Sequence, residues 1–126
     1  DLLFEQGYDG INLGNTSADY KSMREKIHER ELNLYDFYAK HFKGGVSGRP
    51  LKEISLELAS LAVQYLKTNH PSQEFHVIRT GGIENQDDIH ASEKAGISLN
   101  EWYTGYFENF LEEGNNLYKN LFEPTK

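Results

Sequence analysis

The feature that most constrains the fold is the alternation of short apolar strands with longer helix-prone segments. Short segments at 11–14, 75–79 and 97–102 are predicted strands, and a helix-prone segment follows each of them. Strands that alternate with helices usually lie parallel, because each crossover helix carries the chain back to the same edge of the sheet. The sequence therefore predicts an α/β fold of parallel strands with crossover helices.

Two of the helices are predicted with clear bounds. In the first, apolar residues recur at helical spacing from Leu51 to Tyr65 and form one face. In the second, Asn85 is suited to cap the N-terminus and Gly96 is a natural C-terminal stop. Three further helical segments are predicted, at 2–4, 18–42 and 106–122.

Three glycine-containing turns stand at strand ends or helix starts: Gly44–Gly48, Thr80–Gly82 and Tyr103–Gly105. Glycine lets backbone N–H groups approach an anion, and a helix N-terminus adds positive potential. In barrels of alternating strands and helices, the loops after the last two strands commonly hold a phosphate. One such turn is most often only structural, but three at the same end of successive units indicate a phosphate site.

The composition excludes several classes of function. The chain has 13 Lys and Arg against 20 Asp and Glu, and neither half has the basic excess of a nucleic-acid-binding protein. No stretch approaches the roughly 20 apolar residues of a membrane span, and no signal peptide opens the chain. The absence of Cys excludes disulfides, thiolate zinc sites and thiol catalysis.

Other local patterns do not complete a known site. The Gly-Val-Ser-Gly run at 45–48 begins like a nucleophile elbow, but Arg49 stands where the last glycine is needed. His28-Glu29 begins like a zinc-binding helix, but Leu32 stands in place of the second His, and we predict no metal site. The chain starts at Asp1 without Met, which favours a piece of a longer protein.

The segments that carry a family resemblance follow one another in a specific order and spacing. They are Asp9-Gly10, Asn15-Thr16-Ser17, Gly44–Leu51, Gly81-Gly82-Ile83, Ala95–Leu99 and Tyr103-Thr104-Gly105. Together they resemble dihydroorotate dehydrogenase, and the Gly44–Leu51 run is most similar to its membrane-associated, quinone-using class 2 type. The resemblance extends from about residue 5 to 110. It implies that residues 1–126 are the C-terminal half of a TIM-barrel, or (β/α)8, flavin domain whose N-terminal half is absent from this chain.

The resemblance also implies a chemistry. The family transfers hydride from dihydroorotate to FMN and gives orotate in de novo pyrimidine (UMP) biosynthesis, and in the quinone-using class a quinone reoxidises the flavin. That class is peripheral to the cytoplasmic face of the bacterial inner membrane or to the mitochondrial inner membrane. The family's catalytic base is a Ser of the N-terminal half. We therefore expect no catalytic residue in this chain, and no activity from residues 1–126 alone.

Residue by residue, the resemblance implies three groups of ligand-binding residues. Ser47, Gly48, Gly81 and Gly82 match the flavin-phosphate loops. Tyr103 and Thr104 match the last phosphate-binding pair. Asn15 and Thr16 match the pair that hydrogen-bonds the substrate.

Some positions depart from the family pattern, namely Asn12, Gly14, Arg79 and Asn100, and the segment between Asn15 and Gly44 is longer than usual. Two interpretations of Arg79 stay open, a donor to the flavin phosphate or a replacement inside the barrel. Two alternative functions also stay open, a non-catalytic FMN- or phosphate-binding half-barrel and a diverged barrel enzyme of another flavin class. A half-barrel exposes sheet edges, so we expect it to require the missing N-terminal half or self-association.

Overall fold

Three parallel strands form the single sheet of the residues described. The computed structural model of the chain describes residues 2–69 and 73–122. The strands are β1 (Gly10–Leu13), β2 (His76–Thr80) and β3 (Leu99–Glu101), in the order β1-β2-β3. Both strand pairs are parallel, with Ile11 opposite Val77 and Arg79 opposite Asn100. The predicted α/β fold is therefore confirmed.

Helices connect and flank the strands. They are α1 (Leu2–Glu5), α2 (Tyr20–Arg24), α3 (Leu32–His41), α4 (Lys52–Asn69), α5 (Gln86–Ala95), α6 (Thr104–Glu113) and α7 (Leu117–Phe122), with 3-10 turns at Glu29–Glu31, Arg49–Leu51 and Gly114–Asn116. The third strand is shorter than predicted, because Ile97 is buried in the core before β3 begins and Trp102 lies beyond its end.

The core lies between the sheet and α4. Ala59 and Val63, one helical turn apart on α4, pack with Val77 of β2 and with Ile97. Ile11 of β1 packs against the same cluster. The i, i+4 spacing on α4 and the period of two along the strands bring these apolar side chains to one interface.

Helix α5 begins and ends as predicted. The Asn85 side chain accepts a hydrogen bond from the Asp88 N–H, and the Asp88 carboxylate accepts one from the Asn85 N–H, which makes a capping box. Gly96 follows the helix in the left-handed conformation with φ of +85°. These two ends fix the length of the crossover between β2 and β3.

The prediction of one helical segment over 18–42 is wrong. Helix α2 ends at Arg24, and the chain turns before His28 caps the next helical turn by accepting from the Arg30 N–H. Helix α3 then packs back on α2, where Arg24 and Asp36 form a bidentate ion pair at 2.8 and 2.9 Å. The break lies where the apolar spacing is interrupted by a run of charged residues.

Candidate functional site

All eight residues that the sequence analysis assigned to ligand binding line one cavity of about 290 Å³. They are Asn15, Thr16, Ser47, Gly48, Gly81, Gly82, Tyr103 and Thr104. The cavity lies at the carboxyl ends of the three strands, because Asn15 follows β1, Gly81 follows β2 and Tyr103 follows β3. This end of a parallel sheet is where α/β proteins usually bind ligands.

The loop that carries Ser47 and Gly48 is held beside the sheet by backbone pairing. The N–H of Ser17 donates to the Val46 carbonyl at 2.9 Å, and the N–H of Val46 donates back to the Ser17 carbonyl at 2.8 Å. Further along the loop, the Thr104 hydroxyl donates to Ser47 Oγ at 3.0 Å. The glycine loop is thus joined both to the chain after β1 and to the start of α6.

Two glycines allow elements to approach closely around the cavity. A Cβ on Gly48 would lie 2.9 Å from the Thr104 methyl group. On Gly82 it would collide with the backbone of Lys52, at the start of α4. Both residues also have φ of +75°, which strains any side chain. Gly82 therefore lets the loop after β2 lie directly against α4. Gly48 lets the glycine loop lie directly against the start of α6.

The positive potential at the cavity comes from neutral donors and a helix end. Helix α6 starts at Thr104, and the side chain of the preceding Tyr103 does not cap it. The unpaired N–H groups of the first turn and the helix dipole therefore create a positive potential at the start of α6, where Thr104 lines the cavity. Among the described residues that line the cavity, none is Lys or Arg.

A carboxylate also lines the cavity. Glu101, the last residue of β3, accepts hydrogen bonds from the Thr80 hydroxyl and the Asn12 amide, both at 2.7 Å. These bonds lower the pKa of Glu101 below its ordinary value, and the bond from Thr80 has the larger effect. The Thr80 hydroxyl also lies 2.6 Å from Asn12 Oδ1, so its single proton serves one acceptor at a time.

The side chains of Arg49 and Lys52, two residues that adjoin Gly48 and Gly82 of the cavity, are paired with carboxylates. Lys52 Nζ lies 2.7 Å from Glu84 and 3.1 Å from Asp88, and Arg49 Nε lies 2.9 Å from the same Glu84. Burial alone lowers the pKa of Lys52, but its hydrogen bonds to the two carboxylates outweigh burial and raise it. These pairs fasten α4 to the start of α5.

Both sequence-based interpretations of Arg79 are wrong. Its side chain is fully buried on the side of the sheet that faces the helices, where it bonds Ser55 of α4 and Ser92 of α5, both at 2.9 Å. Burial lowers the pKa of the guanidinium, and the nearby Asp88 partly offsets this. Arg79 therefore points away from the cavity, although it stands only two residues before Gly81.

The other polar strand positions lie on different sides of the sheet. Asn12 is exposed on the open side, where it contacts Glu101. Asn100, opposite Arg79 in the register, is turned inward, and its Oδ1 is buried without a hydrogen-bond partner among the described residues. Sequence reasoning singled out both positions but not their opposite orientations, which the alternation along β1 and β3 implies.

A larger cavity of about 560 Å³ lies next to the glycine loop. Aromatic and apolar side chains line it, among them Tyr35 and Tyr38 of α3 and Phe42, which follows α3. Of the eight predicted ligand-binding residues, only Ser47 borders it. The smaller cavity is the candidate site, because there the loop glycines and the N-terminus of α6 converge.

The part of the chain that comprises residues 2–69 and 73–122 has no group of three or more His, Asp or Glu side chains placed to hold a metal ion. It also has no helix long and apolar enough to cross a bilayer.

Comparison with known proteins identifies the family. The sequence profile of the dihydroorotate dehydrogenase family matches residues 1–116. This chain belongs to the dihydroorotate dehydrogenase family. Dihydroorotate dehydrogenases described as quinone-dependent are among its relatives, from Akkermansia muciniphila (30% identical, covering 99% of this chain) and Kocuria rhizophila (31% identical, covering 90%). The predicted resemblance to dihydroorotate dehydrogenase of the quinone type is confirmed.

Solved dihydroorotate dehydrogenase structures share the fold. The enzyme of Eimeria tenella, in complex with ferulenol, matches 96% of this chain with a TM-score of 0.63 and 30% identity. Its ligand-free structure matches with a TM-score of 0.64. The chain spans 30% and 27% of the lengths of the two bacterial relatives and 27% and 28% of the two Eimeria chains. The prediction that the chain is a portion of a TIM barrel is confirmed.

Proposed function

We propose that this chain forms part of a dihydroorotate dehydrogenase that oxidises dihydroorotate to orotate, with hydride transfer to FMN, in pyrimidine biosynthesis. The observation that carries the proposal is the convergence of eight residues from four separate segments on one cavity. Family membership supports the same chemistry. The C-terminal half of the flavin domain is the part that residues 1–126 supply in this proposal.

The donor groups around the cavity fit a phosphate ester of the FMN type. Gly48 and Gly82 leave room where a Cβ would collide with neighbouring atoms. The hydroxyls of Ser47 and Thr104 lie 3.0 Å apart at the uncapped start of α6. Backbone N–H groups, hydroxyls and a helix N-terminus together suit a phosphate without a cation. At about 290 Å³ the cavity is smaller than most sites for a whole ligand of this size, which supports a shared site.

Asn15 and Thr16 are the proposed substrate-binding residues of this chain. They line the same cavity at the carboxyl end of β1, and an amide and a hydroxyl are suited to the polar edge of a small heterocycle such as dihydroorotate. When bound, FMN supplies the hydride acceptor. The base that removes the proton is proposed to lie outside these 126 residues.

The relatives named as quinone-dependent support a quinone as the electron acceptor. A peripheral position at a membrane would then follow from the apolar character of that acceptor. The proposed partner of this half of the domain is the rest of the barrel, either from the same polypeptide or by self-association. Exposed apolar side chains, such as Phe37 and Leu111, are consistent with surfaces that need cover.

The test uses the complete natural polypeptide that carries these residues, loaded with FMN. Wild-type protein should show dihydroorotate-dependent bleaching of the flavin absorbance. Asn15→Ala should retain FMN but lower kcat/KM for dihydroorotate by about tenfold or more, because a lost hydrogen bond to a buried polar partner costs about 1–3 kcal/mol. Asn33→Ala, on the exposed surface of α3, is the matched control and should behave as wild type.

Two results would change the conclusion. Unchanged substrate kinetics in Asn15→Ala would contradict the substrate assignment. Bound FMN in the wild-type protein without bleaching by dihydroorotate would favour the alternatives, a non-catalytic flavin-binding module or an enzyme of another flavin class.

A further inference from the structure

The buried cluster around Arg79 lies outside the lining of the candidate cavity. Its Nε donates to Ser55 Oγ at 2.9 Å, and its two terminal nitrogens donate to Ser92 Oγ at 2.9 Å and to the Lys52 carbonyl at 2.8 Å. A fully buried guanidinium is rare unless its donors are satisfied. Here hydroxyls and main-chain carbonyls of α4 and α5 supply most of the acceptors, so the guanidinium binds the two helices together.

The cluster reaches the candidate site through Ser55. The Ser55 hydroxyl lies 2.7 Å from the Gly81 carbonyl and 3.1 Å from the Lys52 carbonyl. Ser55 Oγ already accepts from Arg79, and the Lys52 carbonyl receives an N–H of the same guanidinium. The single hydroxyl proton therefore serves the shorter bond, to Gly81. The result is a chain of hydrogen bonds from Arg79 to Ser55 to the loop after β2.

The bond to Gly81 orients the next N–H group. The Gly81 carbonyl and the Gly82 N–H belong to one peptide unit, and in a trans peptide they point in opposite directions. No cis peptide occurs among the described residues. Since Ser55 holds the carbonyl on the helix side, the Gly82 N–H is directed to the other side, where Gly82 lines the cavity.

Two successive glycines need such an external restraint. Gly81 and Gly82 have φ of +112° and +75°, and without side chains they have many alternative conformations. A fixed carbonyl reduces those alternatives before any ligand arrives. A donor that is already oriented binds an anion more tightly than one that must first be ordered.

We infer that Arg79 and Ser55 are positioning residues that aim the Gly82 N–H at the phosphate group of the bound flavin. The inference rests on the proposed function, because it assigns a role to residues behind the same site. It predicts a selective effect: the phosphate ester of the flavin should lose affinity when the restraint is removed, whereas the flavin without phosphate should not.

The experiment compares the dissociation constants of FMN and riboflavin for the complete natural polypeptide, by titration of flavin fluorescence. Wild-type protein should bind FMN more tightly. Ser55→Ala should reduce the FMN preference by about tenfold, the size of one hydrogen bond to a charged group, with little change for riboflavin. Ser60→Ala is the matched control: its hydroxyl also bonds a carbonyl of α4, that of Leu56, but does not reach the loop. It should keep the wild-type preference.

A second variant guards against misfolding. Ser55→Ala leaves a donor of Arg79 without its acceptor, whereas the double variant Ser55→Ala with Arg79→Met removes both partners of that bond and leaves fewer buried polar groups unpaired. The double variant should show the same loss of FMN preference. An unchanged preference in either folded variant would overturn the positioning role alone. A wild-type protein that binds FMN no better than riboflavin would instead overturn the phosphate site, and with it the proposed function.

Discussion

The two faces of the three-stranded sheet differ in how their polar groups are satisfied. On the face toward the helices, Val77 packs in the core and Arg79 is fully buried with hydrogen bonds to α4 and α5. On the open face, Asn12, Thr80 and Glu101 bond one another and stay accessible to water. Adjacent residues of one strand therefore have very different surroundings.

The two faces have different structural roles. The helix face is closed, so even a guanidinium there acts on the structure and, through Ser55, on the loop at the strand end. The open face leads into the cavity, where Thr80 and Glu101 are part of the wall. In a complete barrel this face would be the interior, and its polar groups would meet whatever fills it.

The largest effect should come from filling the space between the loop after β2 and helix α4. Gly82→Ala places a Cβ against the Lys52 backbone at a residue with φ of +75°. We expect the free energy of unfolding to fall by about 3 kcal/mol or more, since backbone strain and a steric clash add. Urea unfolding of the complete polypeptide measures this.

Gly44→Ala is the control for that substitution. A Cβ on Gly44 would meet nothing within 4 Å, so its effect should stay within about 0.5 kcal/mol. Equal stability of the two variants would show that the loop after β2 does not lie against α4 as described.

The positions that sequence reasoning located correctly are those with a local signal. A glycine turn, the Asn85 cap and each strand or helix segment can be recognised within a few residues. All of these features appear in the structure. The orientation of Arg79 depends instead on Ser55 and Ser92, which are 24 and 13 residues away in the sequence. A signal existed, because Ser55 of α4 lies four residues after Leu51 and four before Ala59, at the spacing of one buried helix face.

A smaller effect should compare the two faces at neighbouring residues of β2. Val77→Ala removes two methyl groups from the core and should lower the free energy of unfolding by about 2 kcal/mol. Ile78 is only partly buried among the described residues, but the rest of a complete barrel would cover the open face, so Ile78→Ala should also cost about 2 kcal/mol. The same urea titrations compare them. A loss below about 1 kcal/mol for Ile78→Ala would show that the open face is not covered in the complete protein.

The segment between β1 and the glycine loop shows why other elements could not be predicted. Its composition favours helix throughout, yet helix α2 ends at Arg24. The turn that follows allows the Arg24–Asp36 pair and the Tyr35–Tyr20 hydrogen bond to form. These contacts join residues 12 and 15 positions apart. Helix propensity acts locally and does not indicate where a helix must stop for such a contact.

The smallest effect should be a pH dependence that belongs to the open face alone. The hydrogen bonds from Thr80 and Asn12 lower the pKa of Glu101 below its ordinary 4.5, so the folded state favours the ionised carboxylate. The resulting stabilisation is fully present above about pH 4.5 and is lost as the pH falls through the lowered pKa of the folded state. Glu101→Gln should therefore be less stable than wild type near neutral pH and lose this difference on acidification.

Thermal unfolding of the two proteins from about pH 7 down to about pH 3 measures the effect, which should be small because Glu101 is exposed and salt screens it. Glu112→Gln, on the exposed surface of α6, is the control for removal of one negative charge. A stability difference that is the same at every pH would show that the bonds from Asn12 and Thr80 do not favour the carboxylate. Because these two donors bond Glu101 on the open face, the loss of stability on acidification tests that face without disturbing the buried Arg79 cluster.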